Sequence, residues 1–211
     1  MEKYIPLFPL SLVAYPTENL NLHIFEPRYK QLVTDCMNGS VTFGVCPYID
    51  GTIADMGTEM QIMEIEKAYS DGRMDIRCKG VGLFQLLKFH NPAMNKLYAG
   101  GVILPVPNDW DEDQEIREEL IEAVHKLYQI AQIQFKVNTE DPKPLSYQIA
   151  HKIGLSLPQE YELLQITSEA ERQKFLLVHI RATIPVLEEI ERTRARIKMN
   201  GHFKNLDPLQ F

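Results

Sequence analysis

The apolar positions of this chain follow two different periods, and the change falls near residue 105. Up to there most segments alternate. Ile5, Leu7, Leu10, Leu12 and Val13, spaced by prolines, predict an opening edge strand, because proline leaves a ladder hydrogen bond unmade. Leu20-Asn21-Leu22-His23-Ile24 alternates as a second strand. A short helix then interrupts. Pro27 suits its first turn and Gly39 its C′ position. Tyr29, Leu32, Val33, Cys36 and Met37 follow i, i+3, i+4, i+7 and i+8, which predicts one buried stripe. Strands resume at residues 41–45, and a glycine-bearing loop spans Tyr48 to Gly57. Residues 59–79 predict a hairpin turning at Ser70-Asp71-Gly72, with Met74, Ile76 and Cys78 facing inward. Val81–Phe89 and Tyr98–Val106 predict two further strands joined by a turn at residues 91–95. Many short strands with local turns suggest a small, mostly antiparallel barrel.

The second half has helical spacing. Ile116, Leu120, Ala123, Val124, Leu127, Ala131 and Phe135 predict a helix to about residue 136, with the acids from Asp109 to Glu119 at its start, where a helix favours negative charge. Val137–Pro144 reads as a loop, and Ser146 as the cap of a short helix ending at Gly154. Ser156 with Gln159, and Ser168 with Glu171, form two capping boxes. The second opens a long helix towards residue 199, with a kink expected at Pro185. The fold class is therefore α+β: a barrel-like β subdomain with one short helix over residues 1–107, then a helical bundle over 108–211 ending in a long helix. Pro105, Pro107 and Asn108 mark the boundary.

Composition narrows the function. A chain of 211 residues has a core large enough to need no metal or disulfide staple. Its net charge of −7 argues against a general nucleic-acid binder, which needs a basic face. The stretch Asp109–Glu122 holds eight acids against Arg117 alone, so it carries a charge equal to the whole chain's net value. No long apolar run predicts a membrane span, and no secretory leader is expected from an opening broken by Pro6, Pro9 and Pro16. Three cysteines without a Cys-x-x-Cys suit a reducing, cytoplasmic setting.

Local catalytic patterns are missing. There is no Gly-x-x-x-x-Gly-Lys-Ser/Thr phosphate loop, no His-Glu-x-x-His and no Gly-x-Ser-x-Gly. Gly80-Val81-Gly82 reads as a bend or bulge between strands. The six histidines show no metal-ligand pairing, so neither metal nor cofactor is expected. Cys36 and Cys78 fall on inward faces. Cys46, at a strand end before Pro47, is the cysteine that a folded-together Cys/His site would use. The run Arg192–Lys198 reads as a solvated helix end balanced by Glu188, Glu189 and Glu191, with RNA contact as its other reading.

One stretch says more than its periodicity. Pro6-Leu7-Phe8-Pro9-Leu10-Ser11-Leu12, followed by Leu20 to Ile24 and the string Phe25-Glu26-Pro27-Arg28-Tyr29, closely resembles the opening of the Lon protease N-terminal (substrate-binding) domain. Phe43-Gly44-Val45, Gly57 to Ile62, Asp71-Gly72-Arg73 and Leu163-Leu164 fit later parts of that pattern, so the resemblance covers about residues 4–190. It departs at Gly82-Leu83-Phe84, where the family often has Gly-Arg-Phe. The resemblance implies a PUA-like barrel followed by a helical bundle, in a stand-alone member without the ATPase and Ser–Lys protease modules. Phe25 and Pro27 should fix the entry into the first helix, and Glu26 and Arg28 should hold neighbouring strands.

The function expected is a non-enzymatic module that binds exposed apolar segments of other proteins, as an adaptor in protein quality control. Two other readings stay open: an enzyme using a Cys/His site, and a PUA-like RNA-binding module. Partner binding is expected at two turning segments that carry apolar side chains: Tyr48, Ile49 and Ile53 in one, Pro92 and Met94 in the other. No oligomeric state is predicted.

Overall fold

The computed structural model describes residues 1–202, with side chains to Lys198. Seven strands come first: β1 Lys3–Leu10, β2 Asn19–Ile24, β3 Phe43–Ile49, β4 Thr52–Ile53, β5 Met56–Ala68, β6 Met74–His90 and β7 Ala99–Val106. Helix α1, Pro27–Gly39, falls between β2 and β3. Four helices follow: α2 Gln114–Ile130, α3 Leu145–Ile149, α4 Leu157–Gln165 and α5 Glu169–His202.

The strands run β1-β7-β6-β5-β3, and β3 returns to β1, so the sheet closes into a barrel. All these pairings are antiparallel except β1–β3, which is parallel. β1 is thus not the edge strand its prolines suggested. The stagger of its two ladders explains how prolines are tolerated. β7 pairs residues 3–7 and β3 pairs residues 7–10, so Pro6 and Pro9 each have a strand on one side only. Ile5, Leu7, Cys46, Phe84, Ala99 and Ile103 form the barrel's own small cluster. A Cβ on Gly44 or on Gly57 would lie 2.8 and 2.6 Å from the Phe84 ring, so both glycines are needed where that ring packs.

The hairpin of β5 and β6 extends past the ring, and β2 pairs the first half of β6. The two strands expected at residues 74–78 and 81–89 are one continuous strand. Gly80-Val81-Gly82 forms the expected bulge, since Glu59 faces Gly82 and Met60 faces Gly80. A second cluster, including Phe8, Phe43, Val45, Met60 and Cys78, packs under Tyr29, Leu32, Val33 and Cys36 of α1. Met37, expected in the buried stripe, is exposed, so the stripe ends at Cys36. The helix ends with Ser40, not Gly39, in the left-handed conformation, and the Ser40 and Val41 amides donate to Met37 and Cys36 carbonyls.

The largest cluster joins the two halves. Val13, Tyr15 and Leu83 from the barrel side pack with Leu120, Val124, Leu145, Ile149, Leu163, Leu164, Leu176 and Ile180. Leu83, the apolar departure from the family string, belongs to this interface. Helix α2 is shorter than predicted at both ends. Asp113 caps it by accepting from the Glu115 and Ile116 amides. Asp111 instead serves α5, accepting from the Glu169 amide and the Ser168 hydroxyl. Gln132 takes a left-handed conformation and stops α2. Ser156 and Gln159 make the predicted capping box, and the Ser168 hydroxyl accepts the Glu171 amide. Ser146 is no cap. It is buried in α3 and donates its hydroxyl to Glu169 at 2.5 Å, because that buried carboxylate needs donors.

Candidate functional site

Parallel pairing of β1 with β3 sends both strands out at the same end of the barrel, and antiparallel β6 and β7 turn there too. Both turning segments singled out in the sequence therefore reach one rim. A groove of about 290 Å³ opens there, lined by Pro9 and Leu10 at the end of β1 and Ser11 just after it, Arg28 and Tyr29 of α1, Tyr48 and Ile53, and Asn91 and Ala99. Of the five predicted residues, Tyr48 and Ile53 line the groove. Ile49, Pro92 and Met94 do not; they lie in the segments beside it. The 48–57 segment is more ordered than a loop, since β4 folds back on β3 and pairs Ile53 with Tyr48.

The segments at the rim carry exposed apolar side chains among polar ones. Tyr48 is 43% exposed, Met94 87% and Leu97 58%. The segment from Asn91 to Tyr98 is nevertheless held firmly. The Ala93 amide donates to the Tyr98 carbonyl at 2.8 Å, and Leu97 donates its amide to the Gln31 side chain at 2.8 Å. Asp35 of α1 accepts from the Lys96 ammonium at 2.8 Å and the Tyr98 hydroxyl at 2.7 Å. Those two hydrogen bonds hold the Asp35 carboxyl below its ordinary range. Exposed apolar side chains on an anchored loop give contact area at small ordering cost.

Arg28 supplies the polar edge. Its guanidinium pairs with Glu26 at 2.7 Å and lies 4.6 Å from the centre of the Tyr29 ring. This corrects the expectation that Glu26 and Arg28 tie strands together: they pair with each other. Tyr29 stacks on Phe8 at 3.7 Å, and burial pushes its hydroxyl pKa up. Phe25 is exposed and contributes nothing to the core, whereas Pro27 opens α1 as expected. Sequence reasoning missed Pro9, Ser11 and Arg28 as groove residues, whereas Asn91 lies in the turn it singled out. Arg28 was visible in the Phe-Glu-Pro-Arg-Tyr string, but only the fold shows which way it faces.

The structure does not support chemistry at Cys46. The residue is fully buried inside β3, not at an exposed strand end, and burial pushes its thiol up to about 12. Cys36 and Cys78 are likewise buried and raised to about 12. Among the described residues no histidine is hydrogen-bonded to a cysteine, and no three His, Cys, Asp or Glu residues are grouped to hold a metal ion. The side chain of His202 lies outside the described residues. Arg192 pairs with Glu188 and Glu189, and Arg194 with Glu191, as the solvated reading of the α5 end expects. No described helix is long and apolar enough to cross a membrane.

Comparison with known proteins matches this architecture. The model of the ATP-dependent protease La (LON) substrate-binding domain aligns with residues 4–182. A LON peptidase N-terminal domain and RING finger protein of Schizosaccharomyces pombe is 25% identical over 219 residues. That match covers 84% of this chain but 45% of the yeast protein, so the chain spans about half the length of its curated relative. Among solved structures, a Lon N-terminal domain protein from Xanthomonas campestris superposes with a TM-score of 0.65 at 28% identity, over 83% of this chain and 98% of that one. The N-terminal domain of a Mycobacterium avium complex Lon protease shares the fold, with a TM-score of 0.64 at 15% identity, over 85% and 98% of the two chains. With that family model matched over residues 4–182, most of its length, this chain belongs to the LON substrate-binding domain family.

Proposed function

We propose that this chain is a non-enzymatic protein-recognition module, and that the groove at the barrel rim takes exposed apolar segments of other polypeptides. The observation that carries the reading is the convergence of Tyr48, Ile53 and Asn91 on one groove, with Met94 and Leu97 exposed on the loop that follows Asn91. Methionine adapts to irregular partners and tyrosine anchors interfaces, so the rim suits segments that share apolarity more than shape. Membership of a family described as substrate-binding supports the same role. Such a module serves quality control as an adaptor, holding a client without acting on it. In keeping with the missing phosphate loop, the purified chain should neither hydrolyse ATP nor degrade denatured casein.

The test is Tyr48→Ala combined with Met94→Ala, measured by binding to an unfolded, reduced client. Loss of two rim anchors should weaken binding by about tenfold or more. The melting temperature should stay within a few degrees of wild type, since exposed changes rarely exceed about 0.5 kcal/mol. Unchanged binding would remove the groove from the account. A steep loss of stability would mean that the two side chains are core, and the reading would fail on that ground.

A further inference from the structure

A second cleft lies away from the barrel rim, where the loop between β1 and β2 meets the segment after α2 and the end of α3. Its volume is about 320 Å³. That is room for a small organic molecule, at the lower end of known ligand pockets.

The cleft is basic in an acidic protein. Lys136, Lys143 and Lys152 line it, together with His151. Among the described residues the lysines that form ion pairs are Lys3, Lys96 and Lys174, so none of the three at the cleft is neutralised by a carboxylate. Two acids also line the cleft, but both are engaged. Glu18 accepts the Tyr15 amide at 2.9 Å and lies 3.3 Å from His151. Asp141 accepts the Lys143 amide at 3.0 Å. His151 is clamped on its other side by Glu160 at 2.7 Å. Burial opposes a charge on that ring, but the hydrogen bonds it donates to the two glutamates, and their negative charge, outweigh it and raise its pKa to about 9. The ring is therefore positive at neutral pH.

Two further features point to a ligand. Phe135 forms an apolar wall, braced by Tyr128 stacked at 4.3 Å and carrying the Lys152 ammonium 5.2 Å from its ring centre. Thr17, also in the lining, has a buried hydroxyl with no hydrogen-bond partner. A group with three unneutralised ammonium groups, an unpaired hydroxyl and an aromatic wall matches a doubly charged head on a flat body.

We propose that this cleft binds a small phosphate monoester with a flat apolar body. Lys136, Lys143 and Lys152 receive the phosphate oxygens, and the body lies against Phe135. The site is independent of the rim groove and of the protein-recognition reading.

The probe is phenyl phosphate, titrated at low salt into the 211-residue chain with backbone amides observed by NMR. Saturable shifts are expected at Thr17–Asn19 and across residues 135–152, with Tyr48 and Met94 unmoved. Benzyl alcohol, which has the body without the charge, should bind at least about tenfold more weakly, as should inorganic phosphate, which has the charge without the body. Lys136→Gln with Lys152→Gln should weaken phenyl phosphate by about tenfold or more. Should that pair destabilise the fold, Lys152→Gln alone and a salt titration read the same charge dependence, because exposed charges are screened beyond about 10 Å at 0.1 M salt. Equal binding of benzyl alcohol, or no saturation below about 10 mM phenyl phosphate, would overturn the proposal. Tighter binding of an oligo-glutamate peptide at the same amides would overturn it too, in favour of an acidic polypeptide.

Discussion

Arg172 should be the costliest single polar side chain to remove. It is fully buried near the start of α5. Its Nε donates to the Ser146 hydroxyl at 3.0 Å and to Glu169 at 3.1 Å, and Nη2 donates to Glu169 at 2.8 Å. Its Nη1 reaches the Asn108 side chain at 2.9 Å and the carbonyls of Ile166 and Thr167 at 2.8 and 3.0 Å. The guanidinium also lies 4.4 Å from the Tyr147 ring centre. One side chain thus ties the segment leaving β7, α3, the α4–α5 turn and α5. Arg172→Met removes the charge and leaves the Glu169 carboxylate buried. Breaking a buried ion pair from one side costs about 3–5 kcal/mol. Glu169 keeps donors from the Ser146 amide, the Ser146 hydroxyl and Gln173, which places the loss near the lower end. At about 2–4 °C per kcal/mol for a chain of this size, the melting temperature should fall by about 6–12 °C. Urea unfolding followed by circular dichroism reads the free energy directly. Arg172→Lys should recover part of the loss, because an ammonium has three donors where the guanidinium makes six contacts. A loss below about 1 kcal/mol for Arg172→Met would refute the reasoning.

Two further outcomes follow from the titratable groups. His151 has a folded pKa of about 9 against an ordinary 6.5, so its contribution to stability is fully present below about pH 6.5 and is lost as pH rises through 9. Melting temperatures from pH 6.5 to 9.5 should fall more steeply in wild type than in His151→Gln, and parallel curves would contradict the Glu18–His151–Glu160 contact. The three cysteines, buried with thiols raised to about 12, should resist a thiol reagent at pH 8 and all react once the chain unfolds. Rapid labelling of Cys46 in the folded protein would reopen a catalytic reading.

Local signals gave the elements, and long-range pairing gave the site. The alternation of Leu20 to Ile24, the box of Ser156 with Gln159 and the Asp71-Gly72 turn depend on neighbours in sequence, and all three were legible. The status of β1 was not, because a proline pattern shows a missing donor and says nothing about which flank is unpaired. Ser146 looked like a cap for the same reason: its role is set by Glu169, 23 residues away. The two rim segments were recognisable as turning, apolar stretches. Their convergence was not, since it depends on the parallel β1–β3 pairing that closes the barrel. Arg28 was read as structural because its string marks an architecture, and only the closed barrel shows that it edges a groove.

The claim that the rim is the recognition surface is tested most directly by site-specific photocrosslinking. A photoreactive side chain is placed at Tyr48 and, separately, at Val178, an exposed apolar position on α5 that is 67% accessible. Each protein is irradiated with the same unfolded, reduced client. The account predicts adducts from position 48, competed away by excess unlabelled client, and background levels from position 178. Equal adducts from both positions, or adducts from position 178 alone, would contradict it.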